Sequence, residues 1–266
     1  MIDGVKKIVA VASGKGGVGK STVTANLALA LAAGGKRVGV LDADIYGPSQ
    51  AQMLGVAPGT RPRARDEKTM LPLEAHGLKV MSMAFLTDVE TAMVWRGPMV
   101  AGAFMQLLNQ TDWGELDYLL IDMPPGTGDI QLSLAQKVAV AGAVIVTTPQ
   151  DIALLDARRG IEMFRKVNVP VLGVIENMST HICSECGHVD ALFGEGGGEQ
   201  IAQSYDTRVI GRLPLLRSIR EHADGGTPSV VAEPEGEAAR EYFSAATAIE
   251  EALAGPAQKG PTIGFS

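Results

Sequence analysis

The sequence predicts an α/β fold in a single domain, with three layers: a mostly parallel sheet and helices on both of its faces. Short apolar runs of strand length alternate with helical patterns along almost the whole chain. Strands that alternate with helices form βαβ units, and these units give a parallel sheet. No segment resembles a linker within the 266 residues, a length that one α/β domain commonly has. We therefore expect one domain over residues 1–254.

The first half of the chain contributes three strands and three helices to this prediction. Residues 8–12 form a continuous apolar run, which is typical of a strand covered on both faces. A helix is expected from residue 20 until the glycine pair Gly34 and Gly35, because glycine readily ends helices. Two prolines and a charge cluster make residues 55–70 an expected exposed excursion. The remaining elements predicted here are strands at 37–41 and 78–83 and helices near 49–54 and at 98–109.

The second half continues the same alternation until a Gly- and Pro-rich end. We expect strands at 118–121, 143–147, 171–175 and 208–213, and helices at 129–136, 153–167, 216–223 and 235–253. Residues 255–266 are predicted to form a flexible C-terminal tail.

Charge and cysteine usage restrict the class of protein. Lys and Arg number 23 and Asp and Glu number 30, so the net charge is −7, which argues against a nucleic-acid partner. No apolar run reaches the ~18 residues of a membrane span, and the first residues lack the apolar core of a signal peptide. Two cysteines exclude a disulfide scaffold and favour a reducing, cytoplasmic setting.

The sequence GKGGVGKS at residues 14–21 matches the phosphate-loop pattern G-x-x-x-x-G-K-[ST] between a predicted strand and a predicted helix. Successive backbone N–H groups of such a loop cradle an anion, and the helix adds its positive end. We expect Lys20 to contact the β- and γ-phosphates, Ser21 to ligate Mg²⁺ and Thr22 to bond near the α-phosphate. The predicted nucleotide-binding residues are Gly14, Lys15, Gly16, Gly17, Val18, Gly19, Lys20, Ser21 and Thr22.

Three carboxylates follow predicted strands, at the edge of the sheet where open α/β folds bind ligands. Asp42 and Asp44 end one strand and are two residues apart, which places them on the same side. Asp122 ends another strand and fits a Walker B aspartate that holds Mg²⁺ through water. Gly126, in the loop that follows, could present its N–H to the γ-phosphate.

The base is predicted to be adenine. The guanine-specifying pattern N-K-x-D does not occur in the chain. Asn177 follows a strand, and an amide can pair with adenine through one donor and one acceptor. Arg212 and Pro214 follow another strand and are expected to wall the base. ATP is therefore favoured over GTP.

Cys183 and Cys186 form a C-x-x-C pair in a predicted loop that spans roughly residues 177–198. Metal sites with thiolate ligands usually take four protein ligands, so one pair is half a site. Four interpretations stay open: a [4Fe–4S] cluster shared by two subunits, a zinc ion that recruits His181 and His188, a redox dithiol, and a buried structural pair.

Several motifs together resemble the Mrp/ApbC family of ATPases. They are the phosphate loop with its extra Lys15, D-A-D-I-Y-G-P-S from Asp42, W-R-G-P-M from Trp95, I-D-M-P-P-G-T-G-D from Ile121 and E-N-M-S from Glu176 with the C-x-x-C-G-H that follows. The phosphate loop alone resembles the deviant Walker A group, which includes MinD, ParA, ArsA and the nitrogenase iron protein. Many Mrp/ApbC members carry a small extra domain before the ATPase, and the resemblance spans residues 4–253.

The resemblance implies a homodimeric ATPase that binds a [4Fe–4S] cluster between its subunits and passes it to apo iron–sulfur proteins. It implies that Lys15 reaches the partner's nucleotide, that Asp44 orients the attacking water and that Asp42 lies near Mg²⁺. The expected catalytic residues are Lys15, Lys20, Asp44 and Asp122, and the expected metal ligands are Cys183, Cys186, Ser21 and Asp42. Two alternatives are a MinD/ParA-type positioning ATPase and a zinc-stabilised nucleotide-binding protein without a carrier role.

Overall fold

The computed structural model describes residues 2–86, 97–183 and 185–255. Trp95 and Arg96, which belong to one of the motifs above, lie outside the described residues, as does nearly all of the predicted tail.

The described strands and helices follow the predicted alternation. The strands are β1 (Val5–Ala12), β2 (Val38–Asp42), β3 (Arg63–Ala64), β4 (Met70–Leu71), β5 (Leu73–Ala75), β6 (Leu78–Ser82), β7 (Leu116–Asp122), β8 (Gly142–Thr147), β9 (Val171–Ile182), β10 (Val189–Asp190) and β11 (Val209–Leu215). The helices are α1 (Lys20–Ala33), α2 (Gln50–Met53), α3 (Gly97–Gln110), α4 (Asp129–Lys137), α5 (Asp151–Lys166), α6 (Gly197–Ser204), α7 (Arg217–Asp224), α8 (Ser229–Ala232) and α9 (Glu237–Ala254), with a 3-10 turn at Met83–Phe85.

The main sheet has the strand order β10-β9-β8-β1-β7-β2-β6-β5, and β11 pairs with β9. Neighbours pair in parallel from β6 through to β11, whereas the short strands β5 and β10 pair antiparallel with β6 and β9. Strand β1 lies between β7 and β8, so the loop that follows it emerges among the carboxyl ends of several parallel strands. This arrangement confirms the predicted α/β fold.

Two apolar layers cover the two faces of the sheet. Successive side chains of β1 point alternately into one layer and the other. Val9 and Val11 point into the layer formed with α1 and α9, whereas Ile8 and Ala10 point into the layer formed with α3 and α5. Each fully buried aliphatic side chain contributes about 1.5–3 kcal/mol to folding. The two layers hold the sheet, and through it the loops at its carboxyl edge, in a fixed position.

The structure extends the prediction at one strand. We expected the strand from residue 171 to end at 175, whereas β9 continues to Ile182 and returns as a hairpin through β10. Among the described residues, none of the helices has the length and apolar content that a bilayer crossing requires.

Candidate nucleotide site and thiol hairpin

The phosphate loop joins β1 to α1 through four glycines, two of which adopt a backbone conformation that other residues rarely tolerate. Gly17 and Gly19 both have φ of 82°, in the left-handed region. Gly14 lies so close to α5 that a Cβ there would come 2.1 Å from the backbone of Asp156. These positions curl the loop around the amino end of α1, where backbone N–H groups and the helix dipole favour an anion.

A cavity of ≈ 210 Å³ opens above this loop. The predicted site residues that line it are Lys15, Gly16, Gly17, Gly19, Lys20, Ser21, Thr22 and Asp44. Four lining residues were not predicted, namely Ser13, Ser49, Met53 and Pro125. The side chain of Lys15 is half-buried and forms no ion pair with any residue that the structure describes. Its ammonium group is therefore available to a phosphate.

Lys20 lies at the floor of the cavity, where it forms an ion pair with Asp122. Lys20 is 6% exposed and Asp122 is fully buried, so water screens this pair weakly. The hydroxyl of Thr24 donates to Oδ1 of Asp122 at 3.2 Å, and Nζ of Lys20 lies 3.4 Å from Oγ of Ser21. The phosphate-loop lysine and the Walker B aspartate thus meet directly, with the serine hydroxyl beside them.

Asp42 has a different environment from the one expected of a residue that contacts the metal. Its Oδ2 accepts hydrogen bonds from the backbone N–H groups of Ser49 at 2.9 Å and Gln50 at 3.1 Å, and from the Ser82 hydroxyl at 3.2 Å. Its Oδ1 accepts from the N–H of Asp44. These contacts fix the segment between Asp44 and α2.

Burial and, after it, the neighbouring charge of Asp122 together raise the pKa of Asp42 to about 7. Asp44 does line the cavity, and burial raises its pKa as well, while the charge of Lys20 opposes that rise. Oδ1 of Asp44 accepts from the N–H groups of Tyr46 and Gly47, each at 3.2 Å. The loop after β2 therefore holds Asp44 at the cavity wall, where its carboxylate can contact a water molecule.

Gln50 is a site residue that the sequence analysis missed. Its side chain is fully buried, and Nε2 donates both to Oδ2 of Asp122 and to the carbonyl oxygen of Ser21, each at 2.8 Å. No recognised motif includes this position, and its burial depends on Asp122, which is 72 residues away in the chain.

Of the residues predicted to contact the γ-phosphate and the base, some lie against the phosphate loop and others do not. The N–H of Gly126 donates to the carbonyl oxygen of Ser13 at 2.9 Å, which holds the loop after β7 against the phosphate loop. Nδ2 of Asn177 donates to the carbonyl oxygen of Val18 at 2.8 Å, so Asn177 does reach the loop. Arg212 instead forms an exposed ion pair with Glu199 on α6, and neither Arg212 nor buried Pro214 lines the cavity.

Strand β9 connects the phosphate loop with the cysteine pair. Asn177 lies within this strand and contacts Val18 of the phosphate loop. Cys183 follows directly after the last residue of the strand, Ile182. Met178, next to Asn177, has φ of 56°, and the pairing of β9 with β11 is irregular between Leu213 and Leu215. The strand therefore has a local distortion beside the nucleotide site and regular pairing beyond it.

The cysteines occupy the tight turn between β9 and β10. The N–H of Cys183 donates to the carbonyl oxygen of His188, and the N–H of Gly187 donates to that of Cys183, both at 2.9 Å. Gly187 has φ of 69°, which closes the turn. Backbone N–H groups of Cys186 and Glu185 point at the sulfur of Cys183 and lower the pKa of its thiol. The turn thus favours ionisation of the Cys183 thiol, and the thiolate is the form that binds metals.

One chain does not complete a metal site in the part that the structure describes. Cys183 is partly exposed and Cys186 is exposed. Among the described residues, no group of three or more His, Cys, Asp or Glu side chains is close enough to hold a metal ion. The expected alternative of a zinc ion held by the cysteine pair with His181 and His188 thus finds no support in this geometry.

Comparisons with known proteins extend these observations. The chain is 71% identical to the iron–sulfur cluster carrier protein of Pseudomonas fragi over 230 residues, which are 86% of this chain and 80% of the relative. It is 60% identical to the protein of the same name from Escherichia coli K12 over 89% of this chain and 64% of that relative. It is 51% identical to the mouse iron–sulfur cluster transfer protein NUBPL over 95% of this chain and 79% of that relative.

Solved structures share the fold. A nucleotide-binding protein in complex with ADP from Archaeoglobus fulgidus has a TM-score of 0.77 and 39% identity, and the match covers 91% of this chain and 92% of that one. The cell division ATPase MinD from Pyrococcus furiosus has a TM-score of 0.71 at 24% identity, covering 92% and 98% of the two chains. The family model described as NUBPL iron-transfer P-loop NTPase (ParA) matches residues 4–250. With its phosphate loop, its Walker B aspartate and its thiol turn in one domain, the chain belongs to this family of iron-transfer P-loop NTPases.

Proposed function

We propose that this protein hydrolyses ATP and carries a [4Fe–4S] cluster, held between two copies of the chain, to apo iron–sulfur proteins. Relatives named as iron–sulfur cluster carrier or transfer proteins support this proposal. The observation that carries it is the single strand β9, which contacts the phosphate loop through Asn177 and ends immediately before Cys183. One continuous strand thus connects the proposed nucleotide site with the thiols that would hold the cargo.

The residues at the cavity floor fit a magnesium ion. Ser21 and Asp122 supply the hard oxygen donors that Mg²⁺ prefers, and the buried Oε1 of Gln50 lacks a hydrogen-bond partner among the described residues. Ser21 would bind the ion directly and Asp122 through water. When bound, the ion neutralises charge on the phosphates.

The protein's own groups account for the remaining parts of ATP hydrolysis. Lys20 leaves Asp122 to bind the β- and γ-phosphates, because a triphosphate carries more negative charge than one carboxylate. Asp44, held at the cavity wall, orients the water that attacks the γ-phosphorus. Lys15 of a second copy approaches the γ-phosphate, where positive charge stabilises the transition state. The side chain of Asn177 and the loop around Gly126 respond to the occupied site.

Two exposed thiols per chain supply half of the usual four cluster ligands. A symmetric dimer whose two-fold axis passes near the turn brings four thiols together. Because Cys183 is partly exposed and Cys186 is exposed, a cluster bound there would be accessible to a recipient protein. A recipient protein with free thiolates can replace the four ligands one by one.

The proposal is tested by anaerobic reconstitution with iron and sulfide. The wild type is expected to bind about four iron and four sulfide per dimer, and the Cys183→Ser, Cys186→Ser variant is expected to bind none. His181→Ala, His188→Ala serves as the matched control, because it alters the same hairpin and keeps both thiols. Transfer is measured as activation of an apo-enzyme that requires a [4Fe–4S] cluster.

The same measurement separates the alternatives. Zinc at one ion per chain, lost in the double histidine variant, would support a zinc-stabilised nucleotide-binding protein. A protein that remains monomeric by light scattering with every nucleotide, and takes up no iron, would contradict the proposed carrier. ATP turnover without cluster uptake would support the proposed ATP hydrolysis and contradict the proposed cluster binding.

A further inference from the structure

Gln50 has a fully buried amide side chain beside the nucleotide site. Its backbone N–H donates to Asp42, and its side chain joins two other segments, α1 at the carbonyl of Ser21 and β7 at the carboxylate of Asp122. Three parts of the site therefore meet at one residue. Neither the phosphate loop nor the Walker B motif includes this residue.

The orientation of the amide is determined by its neighbours. Both hydrogens of Nε2 are directed at oxygen acceptors, namely Oδ2 of Asp122 and the carbonyl of Ser21. The reverse orientation would place the amide oxygen against a carboxylate and a carbonyl, neither of which can donate. The amide therefore presents two donors to Asp122 and Ser21, and its oxygen lies on the other side.

That oxygen is buried and has no hydrogen-bond partner among the described residues. Buried acceptors in native proteins almost always have a partner, which can be protein, water or an ion's hydration shell. The Lys20 ammonium, the strongest donor nearby, is directed at the other oxygen of Asp122. Oε1 of Gln50 is thus a buried acceptor that lacks a donor among the described residues, on a side chain whose nitrogen contacts the two residues that would hold Mg²⁺.

We propose that Gln50 is a positioning residue for the magnesium ion of the bound nucleotide. Its amide nitrogen fixes Asp122 and Ser21, the two residues that would hold the ion, and its buried oxygen would be free to accept a hydrogen bond from water. If Lys20 turned to the phosphates, Gln50 would keep its hydrogen bond to Oδ2 of Asp122, and Oδ1 would lose its ion-pair partner. This inference rests on the proposed nucleotide function and names a residue that supports it.

The test compares ADP affinity with and without magnesium, using a fluorescent ADP analogue and no hydrolysis. Gln50→Met removes both donors and the acceptor at similar volume. We expect its affinity in EDTA to stay within about twofold of the wild type, and its magnesium-dependent gain in affinity to fall about tenfold, as expected for the loss of one or two hydrogen bonds. Gln52→Met is the matched control, because Gln52 lies on the same helix and is exposed; its gain should be unchanged.

A merely structural role would weaken ADP binding equally in EDTA and in magnesium. That result, or a magnesium-dependent gain within twofold of the wild type in Gln50→Met, overturns the inference. Gln50→Leu replaces Gln50→Met if circular dichroism shows that the latter does not fold. Iron content distinguishes the two proposals. A wild type that binds no cluster but shows a Gln50-dependent magnesium effect contradicts only the carrier function. A wild type that binds the cluster but shows no Gln50-dependent magnesium effect contradicts only the role of Gln50.

Discussion

Asp42 and Asp122 are register partners on the neighbouring parallel strands β2 and β7, and both carboxyl groups are fully buried. Lys20 forms an ion pair with Asp122, whereas Asp42 forms no ion pair with a described residue and accepts hydrogen bonds from N–H groups and a hydroxyl. Burial, and after it the charge of Asp122, raise the pKa of Asp42 from 3.8 to about 7.

This difference predicts a pH dependence of stability. The folded state binds a proton at Asp42 more tightly than the unfolded chain, where the pKa is 3.8. Its stabilising contribution is therefore complete below pH 4 and is lost as the pH rises through 7. In the wild type, the unfolding free energy should fall between pH 5 and pH 8. In Asp42→Asn this fall should be smaller by about 2 kcal/mol.

The measurement is urea denaturation in EDTA at both pH values. All other titratable groups are the same in the two proteins, so the comparison isolates the contribution of residue 42. Asp42→Asn should be less stable than the wild type throughout, because an amide nitrogen cannot accept the N–H groups that surround Asp42. An unchanged pH slope would assign the titration to another group.

Replacement of Lys20 should lower both stability and affinity. In Lys20→Gln, Asp122 stays buried without its counter-charge, and breaking a buried pair in this way costs about 3–5 kcal/mol. Nucleotide affinity should fall at least about tenfold, since a charged hydrogen bond to phosphate is lost. The control is Lys36→Gln, which breaks a partly exposed pair with Glu250 and should change stability far less, because water screens that pair. Equal losses in the two variants would contradict the buried-pair account.

Lys15 offers a test of action between subunits. Lys15→Gln and Asp44→Asn should each bind nucleotide and hydrolyse it poorly. If Lys15 acts on the partner's nucleotide, a mixed dimer has one site with both residues intact, and an equal mixture should recover about a quarter of wild-type turnover by random pairing. Turnover of the mixture is followed by phosphate release. A mixture no faster than its components would place Lys15 at its own nucleotide.

Two glycines of the phosphate loop should respond differently to one added methyl group. In Gly14→Ala the Cβ would meet the backbone of Asp156 at 2.1 Å, whereas in Gly16→Ala nothing lies within 4 Å. We expect Gly14→Ala to lose about 1–3 kcal/mol of unfolding free energy through overpacking, and Gly16→Ala to stay within about 1 kcal/mol of the wild type. Thermal and urea denaturation without nucleotide measure both. Similar stability for the two variants would contradict the close packing of the loop on α5.

Most of the fold could be predicted because its strands are continuous apolar runs between helical patterns, and α1 was predicted with both ends correct. The second half of β9, residues 176–182, could not be predicted from the sequence. It contains few apolar side chains and is held by pairing with β10 and β11. The phosphate loop and Asp122 follow from local motifs. Gln50 does not, because only the folded sheet brings it to Asp122.

The left-handed residue Met178 has a mechanical consequence for the thiols. Beyond it, five residues at ~3.3 Å each form a lever arm of roughly 15 Å that ends at Cys183. A tilt of about 10° at this pivot displaces the sulfur by roughly 3 Å, far more than the ~0.2 Å within which metal–ligand bonds keep their length. In the proposed carrier, a small rearrangement around the nucleotide would therefore be amplified along the arm into a larger displacement of the thiols.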